Sequence, residues 1–321
     1  MPVFPFPGLN LAITTPFDAS GRIDWTRLRG LVERYLADGI KGFVLSSGTG
    51  MHVYLSKEES KELAQRGSSI INGRAKIIVQ TSALLVEEVI ERTKHAADCG
   101  ADGVMVLPPF FEGPTDHDDI VAFYSEAAKG GLPIIGYNVP QAVGVEITPS
   151  LIQRLCEIPN FHTVKDSSGD LGKQASLIRT GLPVINGADP LVPYALFAGA
   201  RGLIWGGANI APKSCLGIVE AAEAQNWQLV RERWKPLEPI MSLICTGSFL
   251  HPFCVRAVRR HAQIGKRRDR QVRQDSGRLA RAGKQPKPDH LQLRRPGRAD
   301  FGFRGPGRVQ LYRGRGRAAE Q

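Results

Sequence analysis

The chain has 321 residues and a mass of 35.0 kDa, with 42% hydrophobic and 23% charged residues, ordinary values for one large globular domain or two modest ones. No apolar run approaches the ~18–20 residues of a membrane span, a start broken by Pro2, Pro5 and Pro7 makes a poor signal peptide, and five cysteines without CxxC spacing argue against a disulfide scaffold or a cysteine zinc site and suit a reducing cytoplasm. The formal net charge of +11 is not spread evenly: residues 251–321 hold 20 basic against 5 acidic groups, whereas residues 1–250 hold 22 against 26, so a mildly acidic body precedes a strongly basic end.

Through the first 220 residues, short apolar runs alternate with amphipathic stretches. The runs are 9–14, 42–45, 76–80, 103–107, 133–137, 162–165, 183–186 and 202–205. They are almost continuously apolar rather than alternating, as parallel strands buried on both faces are. Helix starts stand between them: Asp24-Trp25, a capping box at Ser56-Lys57-Glu58-Glu59, and Thr148-Pro149 with proline at the first helical position. Before three of the runs a small motif recurs, Gly39-Ile40-Lys41-Gly42, Gly100-Ala101-Asp102-Gly103 and Gly199-Ala200-Arg201-Gly202. Its first glycine suits a left-handed helix end and its second a tight entry into the strand. Eight such units predict an α/β protein with a (β/α)8 barrel. A doubly wound sheet would want a glycine-rich phosphate loop after the first strand, which Thr14-Thr15-Pro16-Phe17 is not.

In a (β/α)8 barrel the chemistry sits at the carboxyl ends of the strands. Lys165 follows His162-Thr163-Val164 at the end of the sixth run. Burial there favours the neutral amine, a nucleophile towards ketones; the alternatives are a lysine that snorkels from the mouth or pairs with Asp166. Tyr137, one strand away, is either a proton relay or a packed aromatic with its hydroxyl on backbone. Ser46-Ser47-Gly48-Thr49-Gly50 offers N–H groups and hydroxyls ahead of a helix, either a carboxylate cradle or a plain loop. Asp116-His117-Asp118-Asp119 reads as an acidic helix start rather than a metal cluster, and no HxH or HExxH spacing exists, so no metal is expected.

Taken together, Thr14-Thr15-Pro16-Phe17, Gly48-Thr49-Gly50, Tyr137-Asn138-Val139-Pro140, Lys165-Asp166-Ser167-Ser168-Gly169-Asp170 and the run from Gly202 to Asn209 resemble the dihydrodipicolinate synthase / N-acetylneuraminate lyase family of class I, pyruvate-dependent aldolases. The resemblance covers roughly residues 8–250. It implies that Lys165 forms an imine with pyruvate or another 2-oxo acid, that Tyr137 relays protons, that Gly48 and Thr49 hold the carboxylate, and that Gly187 and Ile204 line the imine pocket. No cofactor is implied beyond the covalent imine. Three polar groups of the synthase are absent at the matching positions: the first threonine of its hydroxyl relay is Gly48, its second relay tyrosine falls on Phe111, and its substrate arginine falls about Ala142. A Schiff-base lyase of 2-oxo acids other than the synthase is therefore expected, with a Phe110-Phe111 wall that suits a less polar second substrate or one gripped elsewhere. The alternatives are a keto-deoxy sugar acid dehydratase on the same imine chemistry, and a non-catalytic barrel whose basic end binds nucleic acid.

In this family the barrel is followed by a small helical domain that helps assembly, which implies a homo-oligomer, a dimer or tetramer. Residues 1–225 are assigned to the barrel with the eighth helix in 211–225, 226–252 to the start of a C-terminal helical segment with one helix across 227–244, and 253–321 to an Arg-rich, disordered tail. Only 12 of the last 71 residues are Leu, Ile, Val or Phe, too few for a core at that charge. Gly265-Lys266-Arg267-Arg268-Asp269-Arg270 and Arg313-Gly314-Arg315-Gly316-Arg317 suit either a nucleic-acid arm or a tail without a selected role. The second is favoured and nucleic acid is not expected as a partner. A reading-frame shift near residues 250–256 would produce such a tail, since off-frame GC-rich coding yields Arg, Gly, Pro and Gln.

Overall fold

The computed structural model describes residues 4–244, apart from 112, 114 and 115. The last part of the 226–252 segment and the whole 253–321 tail lie outside the described residues.

Eight strands close into a parallel barrel in sequence order, β1 pairing with both β2 and β8. They are β1 (Gly8–Ala12), β2 (Gly42–Leu45), β3 (Lys76–Gln80), β4 (Gly103–Val106), β5 (Ile134–Asn138), β6 (Phe161–Asp166), β7 (Val184–Asn186) and β8 (Gly202–Trp205). The connecting helices are α1 (Trp25–Ala37), α2 (Lys57–Ile71), α3 (Val86–Asp98), α4 (His117–Ala127), the single turn α5 (Pro140–Val143), α6 (Pro149–Leu155), α7 (Leu171–Ile178), α8 (Val192–Phe197) and α9 (Pro212–Glu223). This is the expected (β/α)8 barrel, and each apolar run supplies one strand. The expected helix across 227–244 is two instead, α10 (Trp227–Trp234) and α11 (Glu238–Leu243). Pro236 lies in the break, where a ring without an N–H cannot continue the ladder.

The sequence patterns act as read. Asp24 caps α1 by accepting from the Arg27 N–H, Ser56 and Glu59 form both bonds of the capping box on α2, and Thr148 caps α6 ahead of Pro149. Asp116 caps α4, which settles the acidic stretch as a helix start. Along each strand, side chains alternate between two cores. The inner one holds Phe6, Ala12, Val44, Ile78, Met105, Ile135, Ile185 and Ile204. The outer one packs the other strand faces against the helices. α10 extends that layer, with Trp234 buried 6.3 Å from the ring of Trp205.

Phe6 closes the amino end of the barrel, and two of the second glycines of the recurring motif, Gly103 and Gly202, make room for it. A Cβ on Gly103 would stand 2.5 Å from the Phe6 ring, and one on Gly202 2.5 Å from the Phe6 carbonyl oxygen. Gly202→Ala is therefore expected to cost about 1–3 kcal/mol through forced backbone movement, and to lower the melting temperature. Gly30→Ala on the exposed side of α1, where a Cβ meets nothing, should gain about 0.5–1 kcal/mol. Melts followed by circular dichroism should move in opposite directions.

Candidate active site

The position of the site follows from strand parity. Val164 points to the outer core, so Lys165 points into the barrel and Asp166 out again. On β5, Ile135 belongs to the inner core and Tyr137 packs against it. These two facing sets meet because the β5–β6 register shifts by one residue. Ile134 pairs with Phe161 but Ile135 with Thr163, so His162 is skipped, and Tyr137 comes level with Lys165. Without that irregularity Tyr137 would lie level with Val164, whose side chain faces the other way.

Lys165 is 5% exposed, and its Nζ stands 3.9 Å from the centre of the Tyr137 ring. The snorkelling alternative is thereby excluded. Gly187 leaves the space that the lysine stem occupies: a Cβ there would lie 2.3 Å from Lys165 Cε. The same point would be too close to Ser167 Oγ, a buried hydroxyl without a hydrogen-bond partner among the described residues. Ile204 is buried in the inner core beside these groups. Of the six residues singled out in the sequence, Lys165, Tyr137, Gly187 and Ile204 thus converge on the mouth of the β5–β8 side.

Asp166 is not the lysine's partner. On the outer face it accepts from Asn138 Nδ2 at 2.7 Å, Ser168 Oγ at 3.0 Å and Gln174 Nε2 at 3.3 Å. Gln174 also donates to Asn186 Oδ1 at 3.0 Å, and Asn138 Oδ1 accepts from the Ile147 N–H at 2.9 Å. Burial pushes the Asp166 carboxyl up, while these donors pull it down. The network ties together the ends of β5, β6 and β7 directly behind Lys165 and Tyr137.

The loop after β2 stands across the mouth, four strands from β6. Thr15 Oγ1 donates to the Gly50 carbonyl at 2.7 Å, and the Gly50 N–H donates to Ser47 Oγ at 3.3 Å. Met51 and His52 N–H groups turn back onto Gly48 and Ser47 carbonyls. The N–H groups of Gly48 and Thr49 have no acceptor among the described residues, leaving donors free as a carboxylate cradle requires. Burial, reinforced by the Arg92 charge, holds His52 down at about 4, so this loop end carries a neutral imidazole.

Two sequence expectations fare differently. Phe111 is 78% exposed, with φ of 58°, so within the single chain it is not a wall of the pocket. Ala142 sits exposed on α5 and contributes no polar group. Among the described residues, no group of three or more His, Cys, Asp or Glu is placed to hold a metal ion, and no helix is long and apolar enough to cross a membrane.

Sequence reasoning missed Asp189, the last of Asn186-Gly187-Ala188-Asp189. It is 6% exposed, and its Oδ2 accepts from the Gly207 N–H at 2.7 Å. Parity was the available signal: counting two residues on from the inward Gly187 gives an inward carboxylate. Burial pushes Asp189 up to about 6 against the pull of the Gly207 N–H and of the Lys165 charge. Below the ordinary value of 3.8 both folded and unfolded states hold the proton, so burial adds no charge penalty. Above about 6 the folded state must keep a buried anion, at a cost of roughly 2–3 kcal/mol. Relative to the native chain, Asp189→Asn should therefore gain stability as pH rises from 4 to 7, by roughly that amount; parallel denaturation curves at every pH would contradict it.

Comparison with known proteins comes to the same region of the chain. Residues 5–280 match the model of the dihydrodipicolinate synthetase family. A 4-hydroxy-tetrahydrodipicolinate synthase of Syntrophus aciditrophicus is 33% identical over 242 residues, covering 74% of this chain and 83% of that one. One from Methanothrix thermoacetophila is 32% identical over 240 residues, covering 74% and 81%. Among solved structures, a chloride-inhibited dihydrodipicolinate synthase from Acinetobacter baumannii complexed with pyruvate superposes with a TM-score of 0.71 at 31% identity, covering 75% of this chain and 84% of that one.

Proposed function

The chain belongs to the dihydrodipicolinate synthetase family and is a Schiff-base lyase of the class I aldolase type that uses pyruvate; we propose that Lys165 carries the imine and that the enzyme makes or breaks the C3–C4 bond of a 2-oxo acid other than the synthase's product. The observation that carries this assignment is the amine of Lys165, sequestered from water and 3.9 Å from the Tyr137 ring.

After its ammonium gives a proton to solvent, the Lys165 amine attacks the keto carbon of the 2-oxo acid, forming a C–N bond and a carbinolamine. Tyr137 gives its phenolic proton to the carbinolamine hydroxyl, which leaves as water, and the nitrogen lone pair closes the C=N bond. A protonated imine and a phenolate remain, so charge balances. When the C3–C4 bond breaks, its electron pair becomes the C2–C3 double bond of an enamine, and the imine π pair returns to nitrogen. The departing fragment leaves as an aldehyde after the phenolate takes the C4 hydroxyl proton. The free N–H groups of Gly48 and Thr49 hold the substrate carboxylate across the mouth, which fixes the keto carbon over the amine. Gly187 keeps the space beside the lysine stem open, and Ile204 supplies an apolar wall.

Departure from the synthase reaction rests on Gly48, Phe111 and Ala142, which bring no hydroxyl or guanidinium to the second-substrate side. Gly48 also supports a second reading, a dehydratase of keto-deoxy sugar acids: loss of water from the imine would leave the carbon chain whole. A panel of 2-oxo-3-deoxy sugar acids and aromatic aldol adducts separates the two, since only the aldolase releases pyruvate.

Borohydride with pyruvate should leave an adduct of about 72 Da, pyruvate less water plus two hydrogens, on Lys165. Lys165→Ala should abolish it in a folded barrel; an adduct surviving in that variant, or none in the native chain, would sink the assignment. Tyr137→Phe should still be trapped, while turnover on whichever acid is cleaved falls by about 10²–10⁴.

A further inference from the structure

Gln80 is a buried polar side chain that the mechanism above leaves unused. It ends β3 and is 3% exposed. Val79 belongs to the outer core and Ile78 to the inner one, so Gln80 points into the barrel. Its Nε2 leans on Ser82 Oγ at 3.5 Å, and that hydroxyl accepts from the Leu107 N–H at 2.9 Å. Its Oε1 has no hydrogen-bond partner among the described residues. A buried acceptor without a donor is costly, and a chain that keeps one calls for a donor from outside.

Strand register places this side chain at the height of the reacting groups. Gln80 pairs with Met105, and Met105 with Ile135, two residues short of Tyr137. Tyr137 pairs with Lys165, and Lys165 with Ile185, two residues short of Gly187. A closed eight-stranded barrel staggers by about one residue per strand, so Gln80, Tyr137 and Gly187, from alternate strands, share one layer with Ala12 of β1. Within it Gln80 faces Gly187, four strands away across the barrel. The Gly187 position touches the lysine: the Cβ it lacks would stand 2.3 Å from Lys165 Cε, and the Lys165 amine lies 3.9 Å from the centre of the Tyr137 ring. The layer therefore holds an amide, a phenol and two small residues that leave its middle open. Ala12, Met105 and Gly187 bring no side-chain donor to the amide, and Tyr137 gives its proton in the imine step.

In the cleavage step the C4 hydroxyl of the 2-oxo acid meets Tyr137, so the carbon after C4 lies in this same layer. We propose that Gln80 is a specificity-determining residue: its carboxamide oxygen accepts a hydrogen bond from a hydroxyl on the carbon after C4. The acid taken is thus hydroxylated beyond the bond that breaks, whereas an alkyl or aryl group there leaves the oxygen unpaired. This rests on the assignment of the imine to Lys165 and narrows the second half of the substrate. The polar grip that Phe111 and Ala142 do not supply from the loops comes from the barrel wall instead.

Two acids that differ by one hydroxyl test it with the full chain: 2-oxo-4,5-dihydroxypentanoate and 2-oxo-4-hydroxypentanoate. Consumption of each is followed by proton NMR, beside borohydride trapping of pyruvate. The native chain should show a kcat/KM roughly tenfold or more higher for the dihydroxy acid, because the other leaves a buried polar group unpaired. Gln80→Met, close in size but without the acceptor, should bring the two acids within about threefold of each other, while trapping pyruvate as the native chain does. Native values within about twofold for the two acids, or a Gln80→Met variant that keeps the native preference, overturns the inference and leaves Lys165 untouched. A native chain that traps pyruvate and consumes neither acid overturns it in the same way. Should Gln80→Met not fold, the native comparison decides alone. Native protein that traps no pyruvate overturns the imine assignment and this inference together.

Discussion

A one-residue slip between two strands determines whether this barrel sets an amine beside a phenol ring. β5 and β6 begin in one register and finish in another, because His162 has no partner on β5. Since side chains alternate from face to face, an odd slip exchanges inner and outer sets. It brings the inward Tyr137 level with the inward Lys165, and the outward Asn138 level with the outward Asp166. Both pairings matter. The inner pair supplies an amine against a phenol ring at 3.9 Å, and the outer pair supplies a hydrogen bond of 2.7 Å that holds the slipped register in place. The irregularity is thus locked by the same two strands whose reactive residues it aligns.

The second constraint is dielectric. The inner core below the mouth is mainly apolar, from Phe6 at the floor to Ile185 and Ile204, with Asn10, Gln80 and Thr163 as buried polar residues on the same strand faces. Charge brought there must be matched by charge or by oriented N–H groups. Asp166 meets that demand on the outer face with Asn138, Ser168 and Gln174. Asp189 meets it on the inner face with the N–H groups of Gly206 and Gly207. Burial raises both carboxyls, and the hydrogen bonds of each oppose that rise. The two carboxylates so divide the space around β6 and β7, one on each face of the barrel wall. Met241 makes the C-terminal helices part of this arrangement, since α11 roofs the carboxylate. Loss of packing beyond the eighth helix would therefore be felt at the Asp189 carboxylate.

The sequence made the barrel legible because parallel strands buried on both faces leave uninterrupted apolar runs, and because caps such as Asp24 and Ser56 are local. Lys165 and Tyr137 were legible for the same reason, as polar residues where an apolar run ends. The register slip was not, because strand pairing is non-local and His162 differs in no visible way from a paired residue. Nor was the role of Asp166, whose partners Asn138, Ser168 and Gln174 come from β5, from the loop after β6 and from α7. Asp189 lay within reach of parity but beyond the end of its strand, where alternation is least dependable. The break at Pro236 was visible in the residue itself and was lost by treating 227–244 as one helix.

The same contrast separates what family membership transfers to this chain from what it does not. The side of the mouth that holds Lys165 and Tyr137 is made by strand ends, and closed strands tolerate little movement. The rest of the mouth is made by loops, after β2, after β4 and across α5. Loops accept substitution without disturbing the core. It is there that Gly48, Phe111 and Ala142 stand in place of polar groups, and there that Phe111 is exposed in a left-handed conformation. A hydroxyl or guanidinium lost from a site built to bind a polar partner costs far more discrimination than one methylene more or less. Three such losses on one side of the mouth, with Lys165 and Tyr137 in place on the other, are what the proposed change of second substrate rests on.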